Sequence, residues 1–208
     1  MDRDEEIEIK TIYNNINKPH YNFNYYNVRN NAWEFLIKNN VNEYPLNLNK
    51  ILKQNNWYAT NYKNYCNYKK CDFNKLINNY PDAFTIQDKN NNFLICFNER
   101  NDRQRIRFSI AHEIGHIVLK HLYKFDKLEK EANMFAARIL MPMLLIKELN
   151  ITKPEELSKL CDVSIESAKY RLKRFKEINR REMFYTNPKE KQLLLQLKPF
   201  LNNYSKKE

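Results

Sequence analysis

The residues His112-Glu113-Ile114-Gly115-His116 constrain this chain most, because their chemistry requires a helix. Around them Ile110, Ala111, Ile114, Ile117 and Val118 recur at helical spacing, which predicts a buried helix through Arg107–Leu119. Two histidines four positions apart lie about 40° apart around such a helix and roughly 6 Å along it, so their imidazoles converge on one ion. Glu113 follows His112 and reaches a water on that ion. Two neutral nitrogen donors and a carboxylate base that is not a ligand are what metal-assisted hydrolysis requires.

Gly115 sharpens the reading. It is the only glycine in the chain, and a glycine inside a helix costs on the order of 1 kcal/mol against alanine. Its position predicts close approach of another backbone or of a substrate. The plainer alternative, an amphipathic helix whose histidines are satisfied by hydrogen bonds, leaves that glycine unexplained.

With 208 residues and 42% apolar content, the chain is long enough for one domain with a core and a small appendage. No transmembrane run is present, and the acidic, polar Met1–Lys10 stretch is not expected to be a signal peptide. Cys66, Cys71, Cys96 and Cys161 show no C-x-x-C spacing, so neither a disulfide framework nor a cysteine zinc site is expected. The expectation is a reduced, cytoplasmic protein. A net charge of +11 fits either solvated lysine or attraction to nucleic acid and acidic partners.

Along the chain, residues 1–25 form a polar N-terminal segment in which Ile7, Ile9 and Ile12 suggest a short strand or helical turn. A helix is predicted over Tyr26–Asn39, stopping at Asn39-Asn40, and a second over Leu46–Gln54, opened by Pro45. Trp57–Thr60 reads as a strand and Asp72–Asn79 as a short helix. The interleaved Tyr and Lys of residues 61–75 either stack on bases or cover a small core. Ala83–Gln87 and Phe93–Asn98 read as a hairpin, joined by turn residues Asp88–Asn92. A strand beside the histidine helix offers an edge that a peptide can extend. The histidine helix is expected to end near His121 or Tyr123, and another runs from about Lys127 to Leu140, before Pro142.

A catalytic zinc takes three protein ligands. Glu129 and Glu131, on the helix that follows, are the candidates for the third. Glu129 shares a stripe with Ala132, Asn133, Ala136, Ala137 and Leu140; the alanines permit close packing, and Asn133 is placed to hold a ligand histidine. Glu129 is therefore favoured. Asp126-Lys-Leu-Glu129 also has capping-box spacing, and that use of Glu129 would bring Glu131 forward. His121, nine residues after His112, is expected to point elsewhere, as a surface or helix-end histidine.

Together, Arg107-Phe-Ser-Ile-Ala-His-Glu-Ile-Gly-His116 and Glu129-Lys-Glu-Ala-Asn-Met-Phe-Ala-Ala-Arg-Ile-Leu-Met-Pro142 resemble the two motifs of the ImmA/IrrE metallopeptidases. A looser likeness runs from Ala32 to Leu172; the first and last stretches show none. The resemblance implies an α+β, zincin-like domain with a small sheet, Zn2+ held by His112, His116 and Glu129, and Glu113 as general base. It also implies a protein substrate that is a helix-turn-helix transcriptional repressor, cleaved to relieve repression in phage, mobile-element or stress regulation. The donor for the oxyanion is not identified: Arg138 and several tyrosines are candidates. Iron, cobalt or manganese would also suit the ligands.

Pro154–Leu172 has the rhythm of a helix-turn-helix, with a turn at Cys161–Val163 and Ser164 capping the second helix. Lys169, Arg171, Lys173, Arg174 and Lys176 make that helix basic, while Tyr170 and Leu172 are expected to pack inward. A weak DNA contact through this helix is a further expectation. The predicted organisation is an N-terminal segment (1–25), a metallopeptidase domain (26–146), a helix-turn-helix-like region (147–182) and an amphipathic tail (183–208). Two other functions compete: a metal-binding regulator that does not hydrolyse, and a DNA-binding regulator.

Overall fold

The computed structural model describes residues 7–8, 24–90, 92–121, 125–179 and 187–204. Ile9 and Ile12 of the expected N-terminal element lie outside them, as does the segment proposed to follow His121 as far as Lys124. By contact the chain divides into two compact units, Met1–Asn24 with Leu48–Asn133, and Tyr25–Asn47 with Met134–Glu208. The boundaries read from sequence follow the chain; these units do not, since an early helix groups with the C-terminal ones.

The first unit is built on a small mixed sheet. Its strands are β1 (Ile7–Glu8), β2 (Tyr58–Asn61), β3 (Ala83–Gln87) and β4 (Phe93–Phe97), in the order β1-β3-β4-β2. β3 and β4 pair antiparallel with Thr85 opposite Ile95, and β2 runs parallel to β4 with Ala59 opposite Ile95. The hairpin closes on Asp88, whose Oδ1 accepts from the backbone N–H of Asn90 (2.9 Å) and Asn92 (2.8 Å). Side-chain oxygens that mimic a turn carbonyl are why Asp and Asn mark such loops.

Helix α2 (Leu48–Gln54) starts two residues later than expected, so Pro45 lies ahead of the helix and does not open it. Helix α3 (Tyr62–Lys69) begins at Asn61, whose Oδ1 accepts from Asn64 N at 2.7 Å. The Glu99 carboxylate takes the helix's first amides, Tyr62 N and Lys63 N, at 3.1 Å each. Tyr62 is fully buried against Phe84, and its hydroxyl donates to Tyr80 O at 2.9 Å. Tyr65 and Tyr80 also pack on Phe84. Most of the aromatic residues here therefore cover the sheet; truncating Phe84 to Ala would cost roughly 3–5 kcal/mol. Cys71 Sγ lies 2.7 Å from Cys66 Sγ, and all four cysteines are free.

After α4 (Phe73–Asn79), capped by Asp72, the chain enters β3 and β4 and reaches α5 (Arg103–Val118). Asp102 caps α5 by accepting from Arg105 N at 2.9 Å, and Arg105 Nε in turn donates to Asp82 Oδ1 at 2.6 Å, tying α5 to the entry of β3. The buried residues of α5 include Ile110, Ala111, Glu113, Ile114 and Gly115, and the helix packs against β3 and β4. Gly115 has an ordinary negative φ, so no left-handed turn demands it. Helix α6 (Asp126–Leu140) follows. It begins in the first unit, and its residues from Met134 belong to the second.

The second unit is helical: α1 (Tyr25–Lys38), the rest of α6, α7 (Met143–Glu148), α8 (Pro154–Cys161), α9 (Ile165–Asn179) and α10 (Pro188–Tyr204). Its core includes Val28, Leu36, Leu144, Leu157, Ala168, Leu193 and Leu197. Gln196 Nε2 satisfies the end of α1 by donating to Leu36 O (3.1 Å) and Val41 O (2.7 Å). Between α8 and α9 the chain turns at Asp162 in the left-handed region, and Ser164 Oγ accepts from Ser167 N at 3.2 Å. Two expectations for α9 need correction. Tyr170 does not pack inward but is 75% exposed, whereas Leu172 is buried. Arg171 is not part of a solvated basic face; it is buried, and its Nε donates to Met141 O at 2.7 Å.

With one glycine available, the described chain reverses elsewhere on Asn40, Asn56, Lys70, Lys120, Asn150 and Asp162, all at positive φ. Asn and Asp tolerate this region through local hydrogen bonding; lysine does not share that advantage. No described helix is long and apolar enough to cross a membrane.

Candidate metal centre

The helical period places His112 and His116 on one side of α5, and their Nε2 atoms lie 2.9 Å apart. From the start of α6, Glu129 brings Oε2 to 3.1 Å from His112 Nε2 and Oε1 to 3.5 Å from His116 Nε2. Ligand atoms about 2.0–2.1 Å from a tetrahedral ion sit about 3.3 Å from one another, so the three spacings are those of a chelating set.

The hydrogen bonds behind these atoms fix their protons. His112 Nδ1 faces Asn133 Oδ1 at 2.9 Å. An amide oxygen only accepts, so Nδ1 carries the proton and Nε2 presents a lone pair. His116 Nδ1 faces His121 Nδ1 at 3.0 Å, and His121 Nε2 faces Glu131 Oε2 at 3.2 Å. Burial pushes His121 down to about 4, with the neighbouring His116 charge adding to the effect and Glu131 opposing it. A neutral His121 gives its one N–H to Glu131, so its Nδ1 accepts from His116 Nδ1, and His116 Nε2 is left with a lone pair. Three electron-rich atoms thus face one another across about the width of an ion. Such a set repels itself unless positive charge sits at its centre, so the residues present fit a divalent cation. Burial raises the Glu129 carboxyl, but positive charge on the two facing imidazoles, when they are protonated, lowers it by more, to well below the usual carboxylate range, and a cation at the centre would act in the same direction.

Glu113 belongs to the same group. Donor atoms of His112, Glu113 and His116 all lie within 4.8 Å of one another. Glu129 approaches the imidazoles more closely, and the Glu113 carboxylate is engaged by Thr85, whose Oγ1 donates to Oε2 at 2.7 Å. On distance, Glu129 is the better third donor and Glu113 the better base.

His121 is not the surface histidine that its position in sequence implied: it is 6% exposed and joined to both His116 and Glu131. Glu131, fully buried, also accepts from Asn24 N at 2.9 Å. Nor does Asp126 cap α6 from outside: it lies within the helix, while Glu129 faces the histidines.

A cleft of ≈310 Å³ opens beside these groups, lined by His112, Glu113, Glu129 and Asn133 on one side and by Tyr80, Pro81, Asp82 and Ala83 on the other. Arg138, one candidate oxyanion donor, is not among its lining residues.

Residues 75–173 match the family Peptidase_M78, described as the IrrE N-terminal-like domain. The match begins in α4 and ends within α9, so α8, the turn and the start of α9 lie inside the family's span. No curated protein matches the chain.

Proposed function

From a chain that carries an M78-family peptidase domain, we propose a zinc-dependent endopeptidase of the cytoplasm whose substrate is a helix-turn-helix transcriptional repressor. The observation that carries the reading is the convergence of the donor atoms of His112, His116 and Glu129 within 3.5 Å of one another. In this reading those three side chains are the zinc ligands. The repressor as substrate rests on the resemblance to the ImmA/IrrE peptidases.

Zinc held there supplies Lewis acidity to a scissile carbonyl and lowers the pKa of water. Glu113 accepts the proton of the attacking water and passes it to the leaving amine. Thr85 holds the Glu113 carboxylate in place through its hydroxyl. Asn133 fixes the His112 ring, and His121 with Glu131 fixes the His116 ring, so each imidazole keeps the tautomer that binds metal. The cleft past Ala83, at the entry of β3, is where an extended peptide would lie.

The test is incubation with a helix-turn-helix repressor, taken from the neighbouring gene where one is encoded there, followed by mass spectrometry of fragments. Glu113→Gln is expected to retain the metal and to cut about 10³-fold more slowly, within the range of general-base loss. A Glu113→Gln variant that cuts at the wild-type rate removes the base assignment. A stable complex with no fragments from wild type favours a non-hydrolytic regulator.

A second reading rests on α9, where exposed Tyr170 stands among exposed Lys169, Lys173 and Lys176. That surface suits a weak, charge-driven DNA contact. Its affinity should fall steeply with salt and be indifferent to sequence.

A further inference from the structure

Four arginines of the second unit converge on a cavity of ≈290 Å³: Arg29 from α1, Arg138 from α6, and Arg171 and Arg174 from α9. Among the described lining residues the only carboxylate is Glu190. Arg138 is 8% exposed and Arg171 6%. Burial depresses both guanidinium groups; the charge of Arg138 further depresses Arg171, and those of Arg29 and Arg174 further depress Arg138.

Part of this charge is answered within the chain. Arg171 Nε donates to Met141 O at 2.7 Å, and Arg174 Nη1 to Glu177 Oε2 at 2.8 Å. Arg174 and Arg138 both hydrogen-bond the side chain of Tyr25. The remainder is answered by aromatic faces. Arg29 lies 4.9 Å from the ring centres of Tyr26 and of Trp33, and Arg138 lies 4.8 Å from that of Tyr25. An aromatic face attracts a cation but accepts no in-plane N–H. Among the described residues, the Nε atoms of Arg29 and Arg138 are buried without a hydrogen-bond partner. A buried donor left unmet is costly, and clustered buried cations more so, to the point that apolar residues of similar volume are often the more stable choice.

We propose that this cavity binds a small phosphorylated anion. Guanidinium forks match phosphate oxygens two at a time, and a phosphate monoester dianion offsets two cations where a carboxylate offsets one. The cavity lies at the small end of the roughly 300–1,000 Å³ typical of small-molecule sites. It therefore suits a phosphate monoester up to a mononucleotide, and not a dinucleotide cofactor. The proposal does not depend on the metal centre.

The test uses the full chain with inorganic phosphate and adenosine monophosphate, measured by thermal unfolding and by calorimetric titration, with sodium chloride at matched ionic strength as control. A saturable rise in Tm is expected, together with binding at least tenfold weaker in Arg174→Gln, whose half-exposed side chain can be changed without disturbing the core. Arg138→Met should abolish binding. Tighter binding of inorganic phosphate identifies the free ion as the ligand; tighter binding of the nucleotide identifies a phosphorylated metabolite. Three outcomes overturn the proposal: no saturable binding of either probe, an equal effect of chloride, or wild-type affinity in Arg174→Gln.

Discussion

The two units treat buried charge in opposite ways. In the first, the side chains around the candidate metal centre are held by specific partners: Asn133 for His112, His121 and Glu131 for His116, Thr85 for Glu113. In the second, four arginines gather around one cavity, and among the described residues the Nε–H groups of Arg29 and Arg138 are buried without an acceptor. The first arrangement holds side chains in one geometry and leaves only its centre short of positive charge. The second holds an excess of positive charge around a cavity. On the two proposals, the charge each site would take has opposite sign: a cation in one, an anion in the other.

The comparison breaks most readily at Glu131. Glu131→Gln exchanges an acceptor for an amide of the same shape, so the His121–His116 relay loses its anchor. Zinc affinity, measured by competition with a chelator, should fall about 10–100-fold. Unchanged affinity would make the relay a packing feature. At the other pole, Arg138→Met removes a buried cation. In phosphate-free buffer it should stabilise the chain by about 1–3 kcal/mol in urea unfolding, whereas loss of stability would show that the contacts of Arg138 with Tyr25 outweigh the cost of its burial. Next comes Thr85→Val, which keeps the shape of β3 and releases the Glu113 carboxylate. A fall of roughly tenfold in kcat with KM and zinc content unchanged is expected, as for an interaction that matters in the transition state. The smallest effect concerns Glu34. Its carboxylate faces Lys189 and Lys38, whose hydrogen bonds and charges lower it to about 2 from 4.5. A depressed carboxyl contributes stability above its unfolded value, and that contribution is lost as pH falls from about 4.5 towards 2. The Glu34 side chain is 38% exposed, so Glu34→Gln should flatten the acid limb by less than about 1 kcal/mol, and less at high salt.

Local signals in the sequence carried far. The bounds of β3 and the start of β4 follow from turn chemistry at Asp88–Asn92, and α1 from apolar periodicity ended by Asn39-Asn40. The convergence of His112 with His116 needs only the pitch of a helix. What was not legible depends on reversals that leave no glycine behind. A helix continued to His121 would carry it about 180° around the axis from His112. Instead α5 stops at Val118, Lys120 takes φ 55°, and His121 N bonds His116 O at 3.0 Å, folding the ring back onto His116. Thr85 was hidden for another reason: its pairing with Glu113 is fixed by how α5 lies on β3, not by spacing along the chain. Arg171 and Tyr170 exchanged their expected roles, since a long polar side chain can be buried when a carbonyl such as Met141 O receives it.

The most direct test of the account is a crystal structure of the zinc-loaded chain, with anomalous data collected on either side of the zinc edge. The account predicts one strong peak, about 2.0–2.2 Å from His112 Nε2, His116 Nε2 and a Glu129 oxygen, with Glu113 outside the coordination shell and still joined to Thr85. No peak at this position after zinc loading, or a peak ligated by Glu113 with Glu129 turned away, would contradict it.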